Sequence, residues 1–98
     1  MALRLFLLSH AATPATRAGI FPHATGEDAL DARGLDATHA LQARLHPWLA
    51  DLKAAVLWRS PAFCAEQTAL ALGLNATPCP HVNDLDYGHW AGQRLADI

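Results

Sequence analysis

A histidine follows an apolar run near the start of the chain. Residues 5–8 read Leu-Phe-Leu-Leu, and Ser9 and His10 come directly after them, beside small alanines. A short apolar run that ends in polar residues is typical of a buried strand, and open α/β sheets place their chemistry at the carboxyl ends of strands. The pattern predicts a strand over residues 3–8 that presents His10 at a reactive edge.

Metal and nucleotide chemistry are not favoured by the spacing of the other polar residues. The chain has six histidines. Two of them, His81 and His89, come nearest to a metal-ligand set together with Cys79, but the three residues lack a recognised zinc spacing. The chain has no P-loop or GxGxxG pattern, and Gly88 and Gly92 suit turns. We therefore expect neither a metal nor a cofactor.

The first half of the chain predicts a loop and a helix after the strand. Prolines and glycines punctuate residues 14–34, which indicates a loop. Ala37, Leu41 and Leu45 then recur at intervals of four, so a helix is expected to turn this stripe toward the sheet. Pro47 either kinks this helix or starts a new turn through Leu52.

The second half predicts two more strands and two helices. Residues 54–58 form the second strand, and Ser60 with Pro61 starts a helix that ends at Gly73. That helix is expected to bury a set of apolar side chains, namely Phe63, Leu70 and Leu74. Residues 77–82 suit an edge strand because they contain two prolines, and residues 90–98 begin a last helix. Alternating strands and helices predict an α/β fold with a three-layer, largely parallel sheet and flanking helices.

The totals indicate one small domain over residues 1–98. The chain is 52% hydrophobic and 16% charged, which supports a core and argues against disorder. A net charge of −2 offers no attraction for nucleic acid or an anionic membrane. Cys64 and Cys79 show no disulfide framework and the apolar run is too short for a signal peptide, so a cytoplasmic protein is expected.

Four segments in order resemble the histidine phosphatase superfamily, the phosphoglycerate-mutase-like proteins. They are Leu-Leu-Ser-His-Ala at residues 7–11, Leu-Asp-Ala-Arg-Gly at 30–34, Ser-Pro-Ala-Phe-Cys-Ala-Glu-Gln-Thr-Ala at 60–69 and Asp-Leu-Asp-Tyr-Gly-His-Trp-Ala-Gly at 84–92. The last segment is similar in form to the α-ribazole phosphatase branch. The resemblance implies a phosphoglycerate-mutase-like α/β domain, of which this chain matches the N-terminal half.

The resemblance also implies a phosphohistidine mechanism. His10 matches the nucleophile that accepts a phosphoryl group, and Asp84 matches the carboxylic acid that protonates the leaving oxygen. Ser9 and Cys64 stand where the family has two phosphate-binding arginines, and Thr16 stands where many members have a phosphate-contacting asparagine. A second family histidine belongs to a later strand outside the matched half.

Two arginines near the predicted strand ends are candidates to replace the missing charge. Arg17 and Arg59 both follow predicted strands, where the rim of the site should lie. Other roles are open for the same positions: Arg17 and Arg59 as surface arginines, His10 as a packed histidine, Asp84 as a turn-capping carboxylate.

Two hypotheses of function follow. In the first, the chain is a phosphatase-like protein that is catalytically impaired, because each lost arginine removes a large part of the rate, roughly 10³–10⁵. In the second, it is an active phosphomonoesterase that hydrolyses a small phosphate ester through phospho-His10, with Asp84 as proton donor. In either case, few strands leave an edge and apolar faces open, so we expect a homo-oligomer.

Overall fold

The computed structural model of the protein describes residues 4–98. Within this range the chain forms α-helices and two short strands. In chain order they are α1 (Pro14–Ala18), α2 (Ala32–Arg44), α3 (Leu49–Ala54), β1 (Trp58–Arg59), α4 (Phe63–Ala71) and β2 (Thr77–Pro78). Short 3₁₀ turns lie at His46–Trp48, Pro80–Val82, Gly88–Trp90 and Leu95–Asp97.

The sheet of the described residues is a parallel pair, β1 and β2, connected by α4. Trp58 is paired with Thr77, and the Cys79 amide donates to the Arg59 carbonyl at 2.7 Å. Helices with a small parallel sheet agree with the α/β prediction. The predicted strands at 54–58 and 77–82 are shorter than expected, because Ala54 still belongs to α3 and Pro80 starts a 3₁₀ turn.

The predicted first strand, residues 3–8, is not found in its described part, and Leu3 lies outside the described residues. Residues 4–8 have no regular structure, and Leu5 and Leu7 are 79% and 84% exposed. A strand exists only when a neighbour accepts its hydrogen bonds, and within residues 4–98 β1 pairs with β2 alone. The three-layer arrangement is therefore not formed by the described residues.

Helices α2 and α4 pack through small and polar residues. Gly34 and Thr38 are buried on α2, and Cys64 and Thr68 are buried on α4. This corrects the predicted faces, since a set of apolar side chains expected inside is exposed, namely Ala37, Phe63 and Leu70. For α2 the reason is close approach: a Cβ added to Gly34 would lie 2.3 Å from the Ala12 carbonyl oxygen, so the small residues of this helix face inward.

A leucine cluster lies at the far end of these helices. Leu52, Leu72 and Leu74 are buried, with Leu41, Leu45, Leu49 and Leu57 half-buried around them. Leu41 and Leu45 thus face inward, against this cluster, and Leu74 is buried as predicted, although it lies beyond the end of α4. Of the two alternatives for Pro47, the structure has the new turn: Pro47 lies in the 3₁₀ turn that leads into α3.

Residues 90–98, predicted as a helix, instead pair with the loop before α2. Ile20 and Arg94 form an antiparallel bridge, and the Gly92 amide donates to the Phe21 carbonyl at 2.9 Å. These backbone groups are used between segments, so only 3₁₀ turns form locally. In the described part of the chain, no helix has the length and apolar character needed to cross a bilayer.

Candidate functional site

Two adjoining cavities meet beside His10. The larger, of about 790 Å³, is called the large groove and is lined in part by Ser9 and Arg59. The smaller, of about 300 Å³, is called the small pocket and is lined in part by Thr16 and Phe21. The residues that line both cavities are His10, Pro22, Asp28, Cys64 and Asp84.

His10 is held so that one ring nitrogen is available. Its Nδ1 lies 2.7 Å from the Ala11 carbonyl oxygen, which is an acceptor, so Nδ1 carries the proton. The lone pair is then on Nε2, the nitrogen that a nucleophilic histidine needs. The next residues anchor the loop, because the Ala11 amide donates to Thr68 Oγ1 on α4 and the Asp31 amide donates to the Ala12 carbonyl.

Asp84 lies in an irregular loop between two 3₁₀ turns. Its Oδ1 accepts hydrogen bonds from the Leu85 amide at 2.7 Å and from the Tyr87 hydroxyl at 3.0 Å. The phenol's bond to this carboxylate raises the pKa of Tyr87, since it stabilises the protonated phenol. Asp84 lines the same two cavities as His10.

Ser9 and Cys64, the two positions at which the resemblance implies arginines, carry no positive charge. Cys64 is buried on α4, and burial raises the pKa of its thiol, with the Asp28 and Asp84 carboxylates adding to that effect. The thiol is therefore neutral near pH 7. The Ser9 hydroxyl lines the large groove and donates to the His10 carbonyl at 3.3 Å.

Arg17 is not placed at the site. Its Nε and Nη2 donate to the two oxygens of Asp31 at 2.6 and 3.0 Å, and Arg17 is not among the residues that line either cavity. This bidentate bond and the Gly34 amide lower the pKa of Asp31 to about 2. The guanidinium is therefore paired in the N-cap of α2, which disfavours its prediction as a replacement phosphate ligand.

Arg59 and Thr16 do line the cavities, on different sides. Arg59 ends β1 beside the large groove, and its Nη1 donates to the Ser60 carbonyl at 3.1 Å. Thr16 lines the small pocket, with its Oγ1 2.9 Å from Thr13 Oγ1.

Asp28 lines the candidate site, although no sequence motif predicts it. It lines both cavities beside Asp84, yet it lies in the loop between Pro22 and Leu30, where no motif marks it. Among the described side chains, no lysine or arginine lines the small pocket, and its lining includes two aspartates, Asp28 and Asp84, and His10. The described residues also hold no cluster of three or more His, Cys, Asp or Glu side chains suited to a metal ion.

The comparison with protein families places the chain in a class. The family model of the histidine phosphatase superfamily (branch 1) matches residues 5–98. This match spans nearly the whole chain, including the loop of His10 and the loop of Asp84, and the chain belongs to this superfamily. No curated protein matches the chain.

Proposed function

We propose that the protein is a phosphatase-like member of the histidine phosphatase superfamily whose turnover of phosphate esters is impaired. The observation that carries this proposal is the charge of the small pocket. Its lining includes Asp28, Asp84 and the neutral thiol of Cys64, and no lysine or arginine among the described residues. The form of residues 84–92 supports a place near the α-ribazole phosphatase branch.

Electrostatics argues for slow turnover. A phosphoryl group in transfer carries negative charge on three oxygens, and catalysis depends on cationic donors around it. In the small pocket it would meet two carboxylates instead. One arginine at such a site contributes roughly 10³–10⁵ in rate, so two neutral replacements are expected to leave little activity.

The two side chains that the covalent step needs, His10 and Asp84, nevertheless line the same cavities. In the proposed reaction, Nε2 of His10 forms a bond to phosphorus as the bond from phosphorus to the ester oxygen breaks. The carboxyl of Asp84 gives its proton to that leaving oxygen, and water then hydrolyses the phosphohistidine. This arrangement favours the second candidate function, an active phosphomonoesterase for a small phosphate ester.

Hydrolysis of p-nitrophenyl phosphate distinguishes the two candidates. The parent protein and His10→Ala, purified identically, are compared between about pH 5 and 8. Impaired catalysis predicts rates in the parent that are near those of His10→Ala. A rapid, His10-dependent rate with acid-labile phosphate on the protein would contradict impairment and establish the active phosphomonoesterase.

A further inference from the structure

The carboxylate of Asp84 uses its two oxygens differently. Oδ1 accepts from the Leu85 amide and from the Tyr87 hydroxyl, at 2.7 and 3.0 Å. Among the described residues, no hydrogen bond from another side chain or amide reaches Oδ2. The loop around Asp84 has no regular structure to hold the side chain, so these two bonds define its orientation.

The ring of Tyr87 is fixed by aromatic packing against the small pocket. Its centroid lies 4.8 Å from the Phe21 ring, and the Phe21 ring lies 5.6 Å from that of Trp90. Phe21 lines the small pocket, and its amide and carbonyl are both bonded to residues 92–93. The phenol oxygen is thereby tied to a wall of the pocket that also contains His10.

We propose that Tyr87 is a positioning residue that holds Oδ1 of Asp84 and leaves Oδ2 to donate a proton inside the pocket of His10. The inference rests on the second candidate function, the phosphomonoesterase, because that function gives Asp84 the role of proton donor. A protonated carboxyl has one O–H group, and Oδ1 already accepts two hydrogen bonds. The proton therefore resides on Oδ2, and it passes from there to the leaving oxygen.

The hydrogen bond is tested without any assay of activity. Tyr87 is the sole tyrosine of the chain, so ultraviolet absorbance follows its ionisation alone. Asp84→Asn is expected to move the phenol's midpoint down toward its ordinary value. Asp86→Asn removes the same charge from the same loop, where the Asp86 carboxylate accepts from the Gly88 amide, and should leave the midpoint raised. Equal midpoints in the parent protein and Asp84→Asn would overturn the inference.

The positioning role is tested by comparing two substrates whose leaving groups need protonation to different degrees. Tyr87→Phe keeps the ring and removes the hydroxyl, and its kcat is measured for p-nitrophenyl phosphate and for an alkyl phosphate at high protein concentration. A nitrophenolate leaves without much protonation, whereas an alkoxide needs it. We expect kcat for the alkyl ester to fall about tenfold, a part of what general acids contribute, with kcat for the nitrophenyl ester nearly unchanged.

The possible outcomes of this experiment distinguish a failure of the positioning role from a failure of the phosphohistidine route. Equal losses for the two esters, or no loss, overturn the positioning role and leave the proposed function standing. Asp86→Asn is the matched control, and its ratio of the two rates should equal that of the parent protein. Absence of any His10-dependent turnover is the result that impaired catalysis predicts: it rules out the second candidate function, and the positioning role falls with it, even when the titration shows the bond.

Discussion

At the scale of single residues, the candidate site combines a histidine with a hydroxyl and a thiol at the two positions where the resemblance implies arginines. His10 has a free Nε2, because Nδ1 is bonded to the Ala11 carbonyl. Ser9, the preceding residue, is exposed, and Cys64, which lines the same cavities as His10, is a buried, neutral thiol. The barrier is therefore expected to lie in the stabilisation of charge on the phosphoryl group rather than in nucleophilic attack.

An arginine at position 9 should raise the rate at which the protein hydrolyses phosphate esters. Ser9 is exposed at the large groove, so Ser9→Arg can enter without displacing the core. We expect the rate of p-nitrophenyl phosphate hydrolysis to increase at least about tenfold, a small part of what an arginine supplies in an intact site. Ser9→Gln adds bulk and hydrogen-bond donors without charge, and it should remain at the parent rate. An equal response of the two variants would show that charge at position 9 is not what limits the reaction.

At the scale of elements, the start of α2 joins three parts of the chain. Asp31 caps the helix by accepting from the Gly34 amide at 2.6 Å, and its carboxylate also binds Arg17 in the last turn of α1. Gly34 then lies against the Ala12 backbone, next to the loop of His10. The Leu-Asp-x-x-Gly segment therefore has a structural role in this chain: it sets how closely α2 approaches the site.

The ion pair of Asp31 should make stability depend on acid pH. The pKa of Asp31 is lowered from 3.8 to about 2, so its contribution is complete above the higher value and is lost as pH falls through the lower one. Asp31→Asn is expected to unfold at lower urea concentration than the parent at neutral pH, with the difference shrinking between about pH 4 and 2. Asp36→Asn, on the exposed face of α2, is the control and should show no such window. A difference that does not change with pH would assign the loss to capping alone.

Gly34 should not tolerate a side chain. Alanine favours a helix over glycine by up to about 1 kcal/mol, but its Cβ would meet the Ala12 carbonyl oxygen at 2.3 Å. We expect Gly34→Ala to destabilise the protein by about 1–3 kcal/mol, measured by urea unfolding, because the backbone of the His10 loop must move. Ala37→Gly, at an exposed position of α2, should cost about 1 kcal/mol from propensity alone. A Gly34→Ala protein more stable than the parent would contradict the close contact.

At the scale of the molecule, the described chain is open for its length. Its radius of gyration is 14.5 Å, against about 13 Å for a compact domain of 100 residues. Large apolar side chains around the large groove are exposed, among them Leu5, Leu7, Val56 and Trp58. Soluble monomers rarely leave a patch of this kind uncovered, so the expectation of an oligomer remains our proposal.

We expect sedimentation to show a dimer or higher assembly at micromolar concentration. Leu7→Gln is expected to shift it toward the monomer, because Leu7 is 84% exposed at the groove. Leu70→Gln makes the same change on α4 at a side chain that is 67% exposed and is not among the groove residues. It should leave the assembly unchanged. A compact monomer in the parent protein would rule the proposal out.

Local chemistry alone determined several features of this protein. Asp31 begins α2 and Gly73, at φ 73°, follows α4, because side-chain capping and left-handed backbone are properties of single residues. The order of the four motifs likewise identified the superfamily, and His10, Asp84 and Cys64 do line common cavities.

Only the tertiary structure decided where chain segments meet. Arg17 and Arg59 both follow predicted strands in the sequence. In the structure Arg17 forms an ion pair with Asp31, whereas Arg59 lines the large groove. Asp28 enters the site from a loop with no motif, and Tyr87 reaches Asp84 because its ring packs on Phe21. The apolar residues 5–8 show the same limit, because a strand depends on a neighbour to accept its hydrogen bonds, and periodicity carries no information about that neighbour.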